Sequence, residues 1–253
     1  MKKILSLMAL AMIFGALAPQ ALYAGKKDKK QQTDATPKKT WKWEMPSKMT
    51  GIKDFDHYLL QCDSLNTRLV SYMDSVTFYS VRVINVQQKD GSVVTRRCVV
   101  DEEGTIRGTG EALLQYVNMT MTGTEILADM AAITAETAVA TASLTEDPLI
   151  AFSHGKYLKA GPKLVAEGGK TIKALLKRMN EQKKEIRQYK KDYSESGEAK
   201  DPTIDPAKID SNYSNNEPIT KTSEEYEKEL AAAHEKDKTI VVPEEGDVNL
   251  DLD

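Results

Sequence analysis

Aromatic residues, histidine and cysteine are all scarce in this chain of 253 residues. Aromatic side chains make up 6% of it, which argues against an aromatic-rich β-sandwich and against a carbohydrate-binding face. The three histidines, His57, His154 and His234, match no metal-binding spacing. We therefore predict no metal site, no cofactor and no catalytic residue, and we infer no small-molecule substrate. An enzyme of unknown chemistry stays an alternative, because a fold can bring distant residues together.

Two short motifs match only part of a known signature. The segment EGGKT, residues 167–171, would need a glycine at position 164 to form a phosphate-binding loop, and Leu164 stands there. The segment SHGK, residues 153–156, has the S-x-x-K spacing of penicillin-interacting enzymes, but no K-T-G strand follows it. Neither segment predicts an activity, and we favour a protein that is not an enzyme.

The N-terminus carries the pattern of an export signal. Lys2 and Lys3 precede an apolar run over residues 4–18, and small residues lead to Ala24. This layout predicts a secretory signal peptide over residues 1–24, so the mature protein is expected in the periplasm or at the cell surface. An uncleaved N-terminal anchor helix is the alternative, although the run is short for a membrane span.

Export to an oxidising compartment gives the two cysteines a specific meaning. An isolated pair predicts one disulfide, here Cys62–Cys98, and two buried free thiols are the alternative. Residues 25–48 show no apolar periodicity and predict a basic, flexible linker. Trp41 and Trp43 within it can lie at a membrane interface or pack onto the folded domain, and we favour packing.

Charge is distributed unevenly, although the formal net charge is only −3. Residues 156–191 hold twelve Lys or Arg against three Glu, whereas residues 192–253 hold eighteen acids against six Lys. Five lysines on or near one side of a predicted helix are candidates for an interaction face: Lys170, Lys173, Lys177, Lys184 and Lys191. A solvated face is the plainer interpretation. The alternatives are contact with anionic lipid or cell-wall polymer, or docking of the chain's own acidic tail. We predict no nucleic-acid partner for an exported chain.

Hydrophobic periodicity predicts two long amphipathic helices. Apolar residues repeat every three or four positions over residues 52–76. Over residues 162–193 they repeat every seven positions for about four heptads, a spacing typical of a coiled coil. Another helical region starts at Glu111, is interrupted at Gly123 and resumes over residues 126–144. The positions expected to carry the packing are Leu59, Leu69, Leu175, Met179 and Ile186.

A β-hairpin is predicted over residues 77–100. Two runs rich in β-branched residues flank Asp90-Gly91, a pair typical of a two-residue turn. With such a turn Cys98 lies opposite Val83, and the predicted disulfide would join the hairpin to the first helix.

Residues 126–144 contain only two charged residues, Asp129 and Glu136. The segment is therefore either a membrane span or a buried helix, and the arrangement of its residues around the helix distinguishes the two. On a helical wheel the larger apolar residues gather on one side, and a narrow stripe with both acids separates them from an opposite alanine side. Placing an acidic side chain near the centre of a bilayer costs roughly 3 kcal/mol of free energy, even on the scales that give the lowest cost. We therefore predict a helix enclosed by protein on both apolar flanks, with its acids reaching water. The alternatives are a membrane-active protein that inserts residues 126–144 and a helix at the periphery of the fold. The alanine side comprises Ala128, Ala131, Ala135, Ala138 and Ala142.

Beyond residue 193 the composition changes to Asp, Glu, Asn, Ser and Pro, so residues 194–253 are predicted to be an acidic, mostly disordered tail. A short helix near residues 224–235 is expected within it, because Thr222 and Glu225 have capping-box spacing. The predicted fold class is mainly α with a small β-hairpin, as an antiparallel helical bundle over residues 49–193.

The predicted function follows from this architecture and from export. We expect a non-catalytic protein of the cell envelope or surface that acts by helix-face packing. Its partner would be an envelope protein or a second copy of the chain, and charge would set orientation and salt sensitivity.

Overall fold

The computed structural model describes residues 38–242. The predicted signal peptide (residues 1–24), much of the predicted linker and the last eleven residues of the predicted tail lie outside the described residues. Within that range the chain is mostly helical and has one three-stranded mixed sheet, in agreement with an α+β class. The elements are α1 (Lys53–Ser75), β1 (Tyr79–Gln87), β2 (Val93–Asp101), α2 (Thr109–Leu144), α3 (Pro148–His154), α4 (Tyr157–Asp192), α5 (Pro206–Asp210), β3 (Ile219–Thr222) and α6 (Ser223–Asp237).

The helices α1, α2 and α4 pack side by side around the larger of two hydrophobic clusters. Arg68 of α1 reaches Asp129 of α2, and Gln61 reaches Glu136, so these two helices run antiparallel. The apolar spacing that predicts α1 and α4 is the spacing of their buried residues. All five positions expected to carry the packing are fully buried: Leu59, Leu69, Leu175, Met179 and Ile186.

Gly123 does not interrupt α2, which is one helix of 36 residues. The predicted break is therefore wrong. A Cβ at Gly123 would lie 2.9 Å from Tyr72 Oη and 3.0 Å from Leu176 Cδ2. Close approach to both neighbouring helices explains the glycine, and it offsets the roughly 1 kcal/mol that glycine costs inside a helix.

The longest predicted helix begins earlier than expected, at Tyr157, with Pro162 inside it. Pro162 is the sixth residue of this helix, so its missing N–H removes one intrahelical hydrogen bond, and the helix continues through it. Further along, a Cβ at Gly168 would lie 2.7 Å from Leu69 Cδ1. The glycine of the EGGKT segment thus allows α1 and α4 to approach, and the segment is helix rather than a phosphate-binding loop.

The hairpin forms where it was predicted, but its register differs by one residue. Cys98 pairs with Arg82, and Gln88 N–H donates to Ser92 O at 2.8 Å, so the loop holds three residues rather than two. Gly91 takes a φ of 85° at the end of this loop, as three-residue hairpin loops require. A shift of one residue moves every side chain of a strand to the other face. Cys98 consequently lies on the face that points away from α1.

The predicted disordered tail is instead structured over residues 194–242. Strand β3 adds to the sheet parallel to β1, giving the order β2-β1-β3. Helix α6 then covers the second face of the sheet, where a smaller cluster forms with Tyr226 and Ala233 at its centre. The predicted short helix and its Thr222–Glu225 capping box are confirmed. Sheet residues in this cluster are Ile84, Val86, Cys98 and Val100.

Both tryptophans of the predicted linker pack onto α1. The Trp41 indole Nε1–H donates to Asn66 Oδ1 at 3.0 Å, and Trp43 donates to Asp63 Oδ1 at 3.1 Å. Trp41 is only 2% exposed. The prediction that they pack onto the folded domain is confirmed, and the part of the linker from residue 38 onward lies against the helices.

Candidate interaction site

The side of α2 that was predicted to be enclosed faces solvent. Over residues 121–142 one exposed set of seven residues, at alternating three- and four-residue spacing, carries no charge, and exposed Glu125 lies beside it. The prediction of protein on both flanks of this helix is therefore wrong: α1 and α4 cover only the flank with the larger apolar residues. We call the exposed set the α2 outer face. It comprises Met121, Thr124, Ala128, Ala131, Ala135, Ala138 and Ala142.

Three acids of α2, Glu125, Asp129 and Glu136, contact α1. Asp129 pairs with the Arg68 guanidinium, and Glu136 accepts from Gln61 Nε2 at 2.8 Å. His57 Nε2 lies 3.8 Å from the other oxygen of Glu136. Asp129 and Glu136 were expected to reach water, and their side chains are 45% and 33% exposed while they also hold α1 beside α2. Glu125, which lies 3.5 Å from Arg68 and has a side chain that is 66% exposed, is the charged residue at the border of the α2 outer face.

One described helix, α2, is long and apolar enough to cross a membrane by length and composition. In its most apolar 18-residue window, 22% of the residues are buried inside the protein. Length and composition alone do not distinguish a span from a packed helix, and Asp129 and Glu136 of this helix contact Arg68 and Gln61 of α1.

Helix α3 exposes two large apolar side chains. Leu149 is 84% exposed and Phe152 is 94% exposed. They lie three residues apart and therefore on one side of the helix. Asp147 fixes the start of α3, because its carboxylate accepts from Leu149 N at 3.0 Å and from Ile150 N at 3.2 Å. This exposed pair follows directly on the end of α2.

The five candidate lysines lie on the solvent-facing side of α4, and all are exposed. Lys170 also lies 3.7 Å from Glu167 Oε1, one turn away. We call this set the lysine stripe: Lys170, Lys173, Lys177, Lys184 and Lys191.

Acids of the C-terminal part, by which we mean residues 194–242, pair with arginines of the sheet. Asp210 Oδ1 accepts from Arg97 Nε at 2.6 Å, and Glu198 Oε1 lies 2.9 Å from Arg96 Nη2. Glu217 presents its backbone carbonyl to Arg82 Nη2 at 2.8 Å. Sequence reasoning missed these partners. The arginines lie on strands more than 100 residues earlier in the chain, and only their charge could have indicated them.

Arg97 lies at the centre of a buried polar cluster between the sheet, α4 and the C-terminal part. Its Nη2 donates to Asn216 Oδ1 at 3.0 Å, and its guanidinium carbon lies 4.9 Å from the centre of the Tyr213 ring. Glu185 accepts from Ser214 Oγ at 2.8 Å, and burial raises the pKa of its carboxyl group. Among the described residues, Arg97 Nη1 and Glu185 Oε1 are buried without a hydrogen-bond partner.

The predicted disulfide is not formed, and both cysteines are buried free thiols. Cys62 belongs to the larger cluster beside Tyr58, whereas Cys98 lies in the smaller cluster on the opposite face of the sheet. The one-residue change of register is the physical reason, since it turns Cys98 toward α6. Burial raises the pKa of the Cys62 thiol to about 12 and that of Cys98 to about 11.

No family model, curated protein or solved structure matches this chain.

A cavity of about 510 Å³ opens between α2, α4 and α6. Cys98, Arg107, Tyr189 and His234 are among its lining residues, whereas His57 and His154 are not. Asp237, a carboxylate that lines this cavity, already accepts from Gly110 N at 3.0 Å and Glu111 N at 2.9 Å. Over residues 38–242 no group of three potential metal ligands comes together.

Proposed function

We propose that the chain is an exported, non-catalytic protein of the cell envelope or surface that binds a partner through its helix faces. In this proposal the three long amphipathic helices form an antiparallel bundle that holds the binding faces rigid. Export is inferred from the apolar N-terminal run and its basic start. The partner is an envelope protein or a second copy of the chain.

The observation that carries this proposal is the uncharged α2 outer face. The side of a helix that faces water is ordinarily polar and charged. Here seven solvent-facing positions at alternating three- and four-residue spacing include five alanines and no charge. That spacing is typical of a helix that packs against another helix. Small side chains let a partner helix approach closely.

The lysine stripe gives the proposal a second, electrostatic component. It projects from α4, whereas the α2 outer face projects from α2, and α2 carries no Lys or Arg at all. An anionic lipid surface or an acidic cell-wall polymer fits the stripe, and salt would weaken such contact.

Site-specific photocrosslinking in native envelopes tests the main proposal. A photoreactive residue at Ala135 reports on the α2 outer face, and one at Thr67, exposed on α1, is the matched control. We expect one dominant adduct from Ala135 and none from Thr67. We further expect the Ala131→Glu, Ala138→Glu double variant to abolish the Ala135 adduct. Identical adducts from both positions, or none from Ala135, would contradict the proposal.

A membrane-active protein is a second candidate, favoured by the length and hydropathy of α2. Insertion of residues 126–144 would require α2 to leave α1 and to break the Arg68–Asp129 pair. Carbonate extraction of envelopes distinguishes the two. A protein that stays in the membrane pellet after carbonate has inserted, and one released by high salt is bound at the periphery.

A further inference from the structure

Helix α3 presents its apolar side chains outward from the protein. Ile150 and Ala151 pack against the larger hydrophobic cluster, while Leu149 and Phe152 point to solvent on the other side. Helices of soluble proteins turn their large apolar side chains inward. Two neighbouring large apolar residues at 84% and 94% exposure are therefore unusual among the described residues.

The fold holds this apolar pair in place. Asp147 caps α3 at its start. At its end the His154 ring lies 6.5 Å from the Phe55 ring and 6.2 Å from the Tyr157 ring. The projection of Leu149 and Phe152 is thus set by packed aromatic rings beneath α3.

The charge of the surrounding segment has one sign. Residues 148–166 contain Lys156, Lys159 and Lys163 and no acid. All three lysines are exposed. The acids next to this segment in the chain are exposed Glu146, Asp147, whose carboxylate is engaged in the cap, and Glu167, which lies 3.7 Å from Lys170. Asp56 of α1 interacts electrostatically with His154. We call residues 148–166 the tip segment.

We infer that the tip segment docks on the surface of an anionic membrane. Leu149 and Phe152 enter the boundary between headgroups and acyl chains, and the three lysines contact lipid phosphates. Large apolar residues beside lysines are the combination that interfacial helices use. The adjacent last turns of α2 add no charge that would have to be desolvated. In this mode α2 stays packed on α1 and α4. The inference rests on the proposed envelope location and names one partner there.

Vesicle flotation tests the inference with protein recovered after export. The probes are vesicles of phosphatidylcholine alone and of phosphatidylcholine with phosphatidylglycerol. The Leu149→Ser, Phe152→Ser double variant removes the apolar pair. Its control is Val93→Ser, an exposed apolar residue on the hairpin. The triple variant Lys156→Gln, Lys159→Gln, Lys163→Gln removes the charge, and its control is the same change at Lys89, Lys208 and Lys228, three exposed lysines outside both the tip segment and the lysine stripe. The same change at Lys170, Lys173 and Lys177 tests the lysine stripe as the alternative surface.

We expect the parent protein to bind only the vesicles that contain phosphatidylglycerol. Both tip variants should weaken that binding at least about tenfold. Loss of a single buried large apolar side chain already has an effect of that size, and each lysine near an anionic surface contributes about 1 kcal/mol. Both controls should bind like the parent, and all variants should keep the parent's thermal midpoint, since the altered side chains are exposed.

Three results would overturn the inference. The first is an absence of vesicle binding by the parent, and the second is loss of binding through the lysine stripe rather than the tip segment. The third is a Leu149, Phe152 variant that binds vesicles like the parent but has a different mass at sedimentation equilibrium. That result would mean that Leu149 and Phe152 contact a second copy of the chain. The Ala135 photocrosslink is the independent measure of the proposed function. If it persists while vesicle binding fails, only the membrane inference is lost.

Discussion

At the scale of single residues, Arg97 defines how the C-terminal part attaches. Its guanidinium is buried, and its charge is matched by Asp210, which comes from helix α5. A buried charge without its partner is strongly unfavourable, whereas an exposed pair contributes little. The stability of the contact between sheet and C-terminal part should therefore depend on this pair more than on the exposed ones.

Replacing Asp210 by alanine should lower the free energy of unfolding by about 3 kcal/mol, because Arg97 would stay buried without its carboxylate. Urea unfolding followed by circular dichroism measures the change. Glu217→Ala is the control, since the Glu217 side chain is 90% exposed and its carboxylate lies 3.9 Å from Arg82. That variant should change stability by less than about 0.5 kcal/mol. Equal losses in the two variants would contradict the role given to burial.

The two cysteines should behave as protected thiols. Burial raises both pKa values above the ordinary thiol range, so little thiolate exists at pH 8, and reactivity should rise only as the pH approaches 11 to 12. We expect no reaction of the folded protein with a thiol-directed disulfide reagent at pH 8 and two reacting thiols after denaturation without reductant. Finding none after denaturation would establish the disulfide instead.

At the scale of elements, apolar periodicity sufficed for α1 and α4, because each buries one continuous stripe. Apolar periodicity led to a wrong prediction for α2. Both its alanine side and the side with larger apolar residues have the pattern of a buried surface, but α1 and α4 cover only the second. Cys98 was placed on the wrong face because one extra loop residue inverts a strand, and Asp90-Gly91 fits both loop lengths. Helix α6 was predicted from its capping box, whereas α5 and β3 escaped prediction because their stabilising partners are a distant arginine and the edge of a distant strand.

Helix α2 begins beneath a carboxylate from another element. Asp237, the last residue of α6, accepts from the first-turn amides of Gly110 and Glu111. A Cβ at Gly108 would clash with this carboxylate. Substitution Asp237→Ala should therefore cost about 1 to 2 kcal/mol of stability, the usual loss of a helix cap. Lys238→Ala, an exposed neighbour, should stay within about 0.5 kcal/mol. Thermal unfolding of the pair checks this, and equal midpoints would contradict the cap.

At the scale of the whole molecule, the C-terminal part completes the fold. Residues 219–237 add the third strand and cover the sheet face that holds Ile84 and Cys98. An open two-stranded hairpin with one bare apolar face is marginal in water.

Truncation after Tyr193 should therefore abolish cooperative unfolding and produce a soluble aggregate or an insoluble protein. Calorimetry and gel filtration provide the measurement. Truncation after Val242, which keeps all the described elements, is the control and should unfold like the parent. A cooperative transition in the shorter chain would restore the view of residues 194–242 as a dispensable tail.

The absence of basic residues on α2 has a practical consequence for anyone probing the protein by chemistry. Residues 108–156 contain no Lys or Arg until Lys156, so trypsin releases them as one peptide of 49 residues. Amine-directed crosslinkers likewise find no target anywhere along α2 and will report contacts of the lysine-rich α4 instead. A crosslinking survey that uses such reagents would therefore detect no contact of the α2 outer face, whatever binds there.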